Sequence, residues 1–452
     1  MIGRNLRRLT AMAGIFLFCA TAAFTDEVRH LKLEQAVRLA LQQNRALKIA
    51  RLKVNENESR KAAAHSDYLP TITNQSNVLH ISELQNITLP AGSFGSIAGA
   101  NLPPQSISVD QGKQTLYSSG TMIAQPLTQL LRVRQENRVA LAEIATSQDE
   151  LKNAENQVAL QVHTLYFGIL VAQLQKKAAE QEASFASESL RENENDVRNG
   201  SVLQIAEVQS RAALLQGQQS VLTAELQVQD YMTELNDLLG LPLDTKLELD
   251  PEVATSIDTL TKADYIKAAW DGNPEIRAAE EAIAKARAGL GTAKTAYIPD
   301  ITVFARHSYQ DGVPFFVRNF GTVGVNMSYT LWDFGKRRAE VREHATQLAE
   351  AEQNLERLRE QVAVEVERSY NKLERTKSMV NVAVQVAKLR EEGERLTTNQ
   401  AAQGVVLISD VRQATAANYQ AKAELMQARF GYLLAWAELE RTVGRAPGLA
   451  TP

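Results

Sequence analysis

Apolar positions in two stretches of the chain recur every seven residues, at Ile144, Leu151, Val158 and Leu165, and again at Val341, Leu348, Leu355 and Val362. That period belongs to helices packed side by side in coiled-coil fashion, and it predicts two rods, Arg132 to Asp196 and Lys336 to Asn399. At 1.5 Å of rise per residue the first would reach about 97 Å, more than a compact globule needs. Each rod is followed by a glycine, Gly200 or Gly404, suited to a left-handed turn, and a returning helix then runs to Gly240 or Gly444.

The pattern ahead of each rod is different. Val323, Val325, Met327, Tyr329 and Leu331 alternate with Thr322, Gly324, Asn326, Ser328 and Thr330, which predicts a strand with one apolar and one polar face. Ile301, Val303 and Ala305 against Thr302 and Arg306 continue this less cleanly, and strands near Thr71 to Ser82 and Thr115 to Leu127 are weaker. Helix-like segments, Leu33 to Asp67 and Lys262 to Ala296, precede the strands. They close on Tyr68-Leu69-Pro70 and Tyr297-Ile298-Pro299, where proline drives its predecessor to an extended conformation.

These elements form one plan written twice. Val37, Leu41, Asn44, Leu47, Tyr68 and Pro70 correspond to Ile266, Trp270, Asn273, Ile276, Tyr297 and Pro299 at a constant offset of 229 positions. Leu127, Ile144, Leu151, Val158, Gly200 and Gly240 correspond to Leu331, Leu348, Leu355, Val362, Gly404 and Gly444 at an offset of 204. The 25-residue difference between the offsets is an insertion in the first half, read as a loop near residues 90–112 where Gly, Ser and Pro cluster. The organisation predicted is a leader at 1–22, a first repeat at 23–245, a linker at 246–260, a second repeat at 261–445 and a tail at 446–452.

The leader follows from Arg4, Arg7 and Arg8 ahead of the apolar stretch Ala11 to Ala20 and the small residues Ala20-Thr21-Ala22, the layout of a cleaved secretory signal. Cleavage there would remove the one cysteine, Cys19, and take the net charge from −4 to −7. With no basic excess, nucleic acid is not an expected partner. No later run of about 18 apolar residues is read as a membrane-spanning helix. An exported chain with one-sided strands and no such helix points to a transmembrane barrel, against the alternative of a soluble antiparallel sheet. Four strands cannot close a barrel, so several chains would have to share one.

Candidate chemistry is sparse. The six histidines form no HxxxH pair, no second cysteine completes a thiolate site, and the paired Glu-x-x-His motifs of a di-metal oxidase are missing, so no metal, cofactor or catalysis is expected. Two readings are open for Trp332 with Tyr329 and Phe334: aromatic rings at the boundary of membrane and water, or core packing.

The leader, the doubled order of helix, strand, strand, long helix, turn and helix, and the segment Tyr329-Thr330-Leu331-Trp332-Asp333-Phe334-Gly335-Lys336-Arg337 resemble the TolC-like outer-membrane efflux family. The resemblance covers nearly the whole mature chain. It implies a mainly α fold with a small β portion, in which three protomers each give four strands to a 12-stranded transmembrane barrel and long helices to a periplasmic α-barrel. It also implies an outer-membrane location and a passive exit duct for an inner-membrane transporter, reached through a periplasmic adaptor. A periplasmic coiled-coil scaffold or adaptor without a pore is the alternative. Carried over from the family, the adaptor-facing tips are Gly200, Ser201, Val202, Gly404, Val405 and Val406. Family members place two aspartates six and nine residues after the second tip glycine; here those positions are Asp410 and Gln413, while in the first half Ala206 stands at the matching place with Glu207 beside it. Three Asp410 carboxylates about one axis would favour cations, and the other reading of Asp410 is a solvated helix residue.

Overall fold

In the computed structural model, residues 29–84, 86–110, 112–251, 260–313 and 316–445 are described, and the predicted leader, the C-terminal tail and most of the linker lie outside them. A short strand β1 (Arg29–Leu31) leads into two helices, α1 (Leu33–Gln43) and α2 (Arg45–Ser66). Next come β2 (Thr71–His80), β3 (Asn86–Leu89), β4 (Ser96–Ile97), β5 (Ala100–Asn101), β6 (Ile107–Asp110) and β7 (Thr115–Pro126). The first rod is α3 (Leu130–Arg198), its return α4 (Gln204–Leu239), and β8 (Leu247–Leu249) closes the half. The second half repeats the plan with α5 (Lys262–Gly272), α6 (Pro274–Thr295), β9 (Asp300–Asp311), β10 (Asn319–Ser328), α7 (Lys336–Ala402) and α8 (Ile408–Thr442). At 69 residues α3 extends about 100 Å.

The structure corrects the sequence reading in four places. The segments before the strands are two helices each, broken at Asn44 and Asn273, where the backbone turns extended. Each asparagine caps the following helix. The Asn44 side chain accepts from Leu47 N at 3.2 Å, and that of Asn273 accepts from Glu275 N at 2.8 Å and Ile276 N at 3.3 Å. Each also donates across the half, Asn44 to Leu238 O at 3.1 Å and Asn273 to Thr442 O at 2.8 Å. Secondly, the inserted segment is not only loop. Its β3 and β6 form an antiparallel ribbon, with β4 and β5 paired inside it.

Thirdly, the segment read as a linker carries β8, which pairs in parallel with β1. The Tyr166 hydroxyl clasps that ribbon, lying 2.9 Å from both Leu31 O and Asp250 O, and burial pushes its pKa up to about 12. Fourthly, among the described residues one helix, α3, is long and apolar enough to cross a membrane by length and composition. Its apolar run is instead the centre of the protein. Val162, Tyr166, Ile169 and Leu170 are buried with Val37, Leu47, Leu235 and Leu239 of the same half and with Phe430 and Leu433 of α8. The second half has its own smaller core, built on Tyr265, Ile276, Val362, Val366, Leu373 and Leu439.

Two runs of helices share the rods: α4, α3, α8 and α7 pack in that order, and α2, α3, α6 and α7 pack in that order, so α4 and α2 lie on one flank and α7 on the other. At the other end β10, β9, β7 and β2 form one antiparallel sheet in that order, with β2 and β10 as its edges.

Candidate functional site

The sheet register sorts side chains into two faces. Across all four strands Val323, Ala305, Ile123 and Ile72 fall in one row on one face, while Thr322, Arg306, Met122 and Thr73 fall in the neighbouring row on the other. The first face is apolar towards the rods, where Val323 is 82% exposed and Val325 and Met327 are exposed beside it. Further out it carries Asn74, Ser76, Ser119 and Thr121, so the alternation is less clean in the first half than in the second. Those groups bond to one another, Asn74 Nδ2 to Thr121 Oγ1 at 2.8 Å and the Ser76 and Ser119 hydroxyls at 2.9 Å, which lowers the cost of placing them on an apolar face.

Where the sheet meets α7, Asp333 organises the turn. Its carboxylate accepts from Gly335 N at 3.0 Å and Arg337 N at 3.2 Å, and pairs with Arg337 Nε at 2.5 Å. The Arg337 hydrogen bond holds the carboxyl below its usual range. The Arg337 guanidinium lies 5.5 Å from the Tyr297 ring and 5.1 Å from that of Tyr329. This clamp leaves Trp332 and Phe334 outside, edge to face at 6.1 Å, with Phe334 92% exposed. Tyr329 is thus part of the clamp, and the other two rings project from the single chain.

At the opposite end the rods turn over at Gly200 and Gly404, with φ of +72° and +73°. Ser201 N bonds Asp196 O at 2.8 Å and Val405 N bonds Gln400 O at 3.0 Å, closing both turns in the same way. Val202, Leu203, Ile205 and Val208 on one tip and Val405, Leu407 and Ile408 on the other are apolar and exposed. Ser201 is exposed and Val406 half-buried. Asp410 is exposed and caps its own helix, accepting from Leu407 N at 3.0 Å, and Gln413 is exposed one turn on. Glu207 is half-buried and lies 3.2 Å from Arg211, which also reaches Glu194 at 3.3 Å. The α8 N-terminus is also bound from the other half, where Glu192 of α3 accepts from Ser409 N at 3.1 Å. Among the described residues no group of three or more His, Cys, Asp or Glu is placed to hold a metal ion.

The sequence reading missed two apolar stripes. On α7, Met379, Val382, Val386, Leu389 and Leu396 are exposed at steps of three, four, three and seven residues, and on α4 Val208, Leu215 and Leu222 are exposed at steps of seven, flanked by Ile205 and Leu226. Both have the spacing of coiled-coil seams, and among the described residues no helix covers them. A groove of about 540 Å³ beside the α7 seam is lined by Met379, Val382, Val386, Ala421 and Ala428. The spacing lies in the sequence itself, closer to the tips than the heptads at Ile144 to Leu165 and Val341 to Val362.

Residues 36–241 and 265–445 match the family described as outer membrane efflux protein, covering both halves. The chain belongs to the outer membrane efflux protein family. It is 23% identical over 322 residues to the alkaline protease secretion protein AprF of Pseudomonas aeruginosa, covering 68% of this chain and 65% of AprF. It is 29% identical over 209 residues to the toluene efflux pump outer membrane protein TtgF of Pseudomonas putida, covering 43% of this chain and 41% of TtgF. The matched stretch therefore spans less than two thirds of either relative. The fold is that of the Campylobacter jejuni CmeC outer membrane channel, with a TM-score of 0.72 at 16% identity over 93% of this chain and 87% of that one. As an outer membrane efflux protein the chain resides in the outer membrane, with its helical portion in the periplasm.

Proposed function

We propose that this protein is the outer-membrane channel of a tripartite efflux or type I secretion system, a passive trimeric duct for solutes driven out by an inner-membrane pump through a periplasmic adaptor. The observation that carries the reading is that the protomer is unfinished on both flanks at both ends. Its sheet ends in two open edges, and its helical layer ends in two uncovered seams, on α4 and α7. A flank that fits the opposite flank of another copy makes a head-to-tail contact, which closes into a ring when the rotation allows. Joining α4 of one copy to α7 of the next covers both seams at once, and the same rotation brings β2 beside β10. The apolar exposed tips are the surface for the adaptor, and the secretion and efflux roles named for AprF and TtgF fit such a duct. The protein performs no reaction in this reading, and the partner pump supplies the energy.

The test is mass and conductance. Purified in detergent, the protein should weigh three protomers and form steady pores in planar bilayers, and Leu215→Glu with Val382→Glu should lower the trimer yield. A lone protomer recovered from soluble periplasm, with no conductance, would refute the proposal.

A further inference from the structure

The face of the sheet that carries Thr322 and Thr73 is uncharged along most of its extent. Across β2, β7, β9 and β10 it holds two charged side chains among the described residues, Asp300 at the end nearest the rods and Arg306 six residues further along β9. At ~3.4 Å per residue they stand about 20 Å apart. Arg306 is opposite Met122 on β7 and Thr322 on β10, and Phe304 and Ser308 are its neighbours on that face of its own strand. None of these is a carboxylate. The guanidinium is exposed and lies against Gly120, where a Cβ would meet its Nε and Nη2 at 2.8 Å. Among the described residues it has no ion pair, hydrogen bond or ring contact. Arg337, at the foot of the same sheet, is by contrast held by Asp333 and two tyrosine rings.

We propose that in the assembled ring the three Arg306 guanidinium groups form a belt inside the barrel that binds solutes carrying several phosphate or carboxylate groups as they leave. This rests on the trimeric duct proposed above, which turns this face of the sheet towards water, and adds a class of cargo that the duct alone does not name. Rings of arginine suit the passage of anions, because the planar guanidinium offers paired donors to phosphate and carboxylate oxygens and keeps its charge at any working pH. Strand β9 is an inner strand of the sheet, so the belt is set back from the joints between copies. Twelve strands ~4.8 Å apart and tilted about 40° enclose a bore about 24 Å across between backbones, which places a guanidinium on its wall about 9 Å from the axis. That is near the screening length of ~8 Å at physiological salt. Coulomb's law in water with this screening gives about a twofold enrichment of a monovalent anion on the axis, and about a twentyfold enrichment of one carrying four charges. The belt therefore sorts solutes by how many negative charges they carry.

Block of single-channel current by inorganic tripolyphosphate, added to the barrel side of a planar bilayer, tests the belt. The parent pore should be blocked at about 0.1 M salt, and the block should fade at about 1 M, where the screening length shortens to ~3 Å. Arg306→Gln should weaken the block about tenfold or more, while Arg306→Lys should keep most of it. Arg306→Glu should lose it and gain block by spermine beyond what the parent shows, a gain that a misfolded chain cannot imitate. A parent pore that tripolyphosphate leaves open, or equal block in parent and Arg306→Gln pores, overturns the belt and leaves the duct standing. Lost tripolyphosphate block in Arg306→Glu without the gain of spermine block also counts against the belt. A protein that weighs one protomer and conducts nothing overturns the duct itself.

Discussion

Replacing Asn273 by alanine tests how the halves are pinned. Its side chain, 6% exposed, accepts from Glu275 N and Ile276 N and donates to Thr442 O at 2.8 Å, so it joins the start of α6 to the end of α8. Loss of the cap costs about 0.5–2 kcal/mol. Stranding a buried carbonyl costs about 1–3 kcal/mol. Because the two share one side chain, a combined loss of about 2–4 kcal/mol is expected for the local opening of this corner. At 1.36 kcal/mol per decade, native-state hydrogen exchange of the Glu275 and Ile276 amides should quicken about 30- to 1,000-fold, with amides in the middle of α3 unaffected. Asn44→Ala should act in the same direction but less, since its bonds at 3.1 and 3.2 Å are longer. Exchange at residues 275 and 276 changed by less than threefold would refute the assignment of Asn273 as the pin.

Three further outcomes are expected. At Gly200 and Gly404 a Cβ meets nothing within 4 Å, so Gly404→Val costs only the left-handed backbone penalty of about 1–2 kcal/mol; trimers should persist while adaptor capture in a pull-down falls, and undiminished capture would remove the tips from the docking surface. Asp410→Asn should weaken block of single-channel current by multivalent cations without unfolding α8, whereas unchanged block would leave Asp410 a helix cap alone. Burial raises the pKa of Glu440, which faces Tyr265 and Arg445 near the α8 C-terminus. The folded state then binds more protons than the unfolded one between the ordinary glutamate value and the raised one, so this group's contribution to stability falls as pH rises through that window. Thermal midpoints of Glu440→Gln and the parent should diverge in the variant's favour as pH increases from 4.5 towards 7, and parallel curves would contradict the shift.

Much of this fold was legible because its signals are local and occur twice. Heptads at Ile144 to Leu165 and Val341 to Val362 announce rods from side-chain spacing alone, and the two offsets expose the duplication without any knowledge of packing. The breaks at Asn44 and Asn273 were harder to see. Asparagine is merely indifferent within a helix, and only Pro274 marked one of the two positions. The ribbon of β3 and β6 was hidden by Gly and Pro that read as loop, and the partnership of β1 with β8 depends on residues more than two hundred positions apart. For the candidate site, glycine chemistry marked the tips in advance. The capping bond of Asp410 to Leu407 N and the stacking of Tyr329 on Arg337 are local, whereas the grip of Glu192 on Ser409 N arises only once helices from different parts of the chain are side by side.

The ribbon of β1 and β8 bears on biogenesis. Arg29 must wait for Leu247, 218 positions later, before the first half can lock, and the Tyr166 hydroxyl clasp depends on both strands. Contacts of such separation form slowly. A polypeptide threaded through a translocon from its amino end would thus emerge pliant, and acquire its final rigidity only after more than half of it has reached the far side.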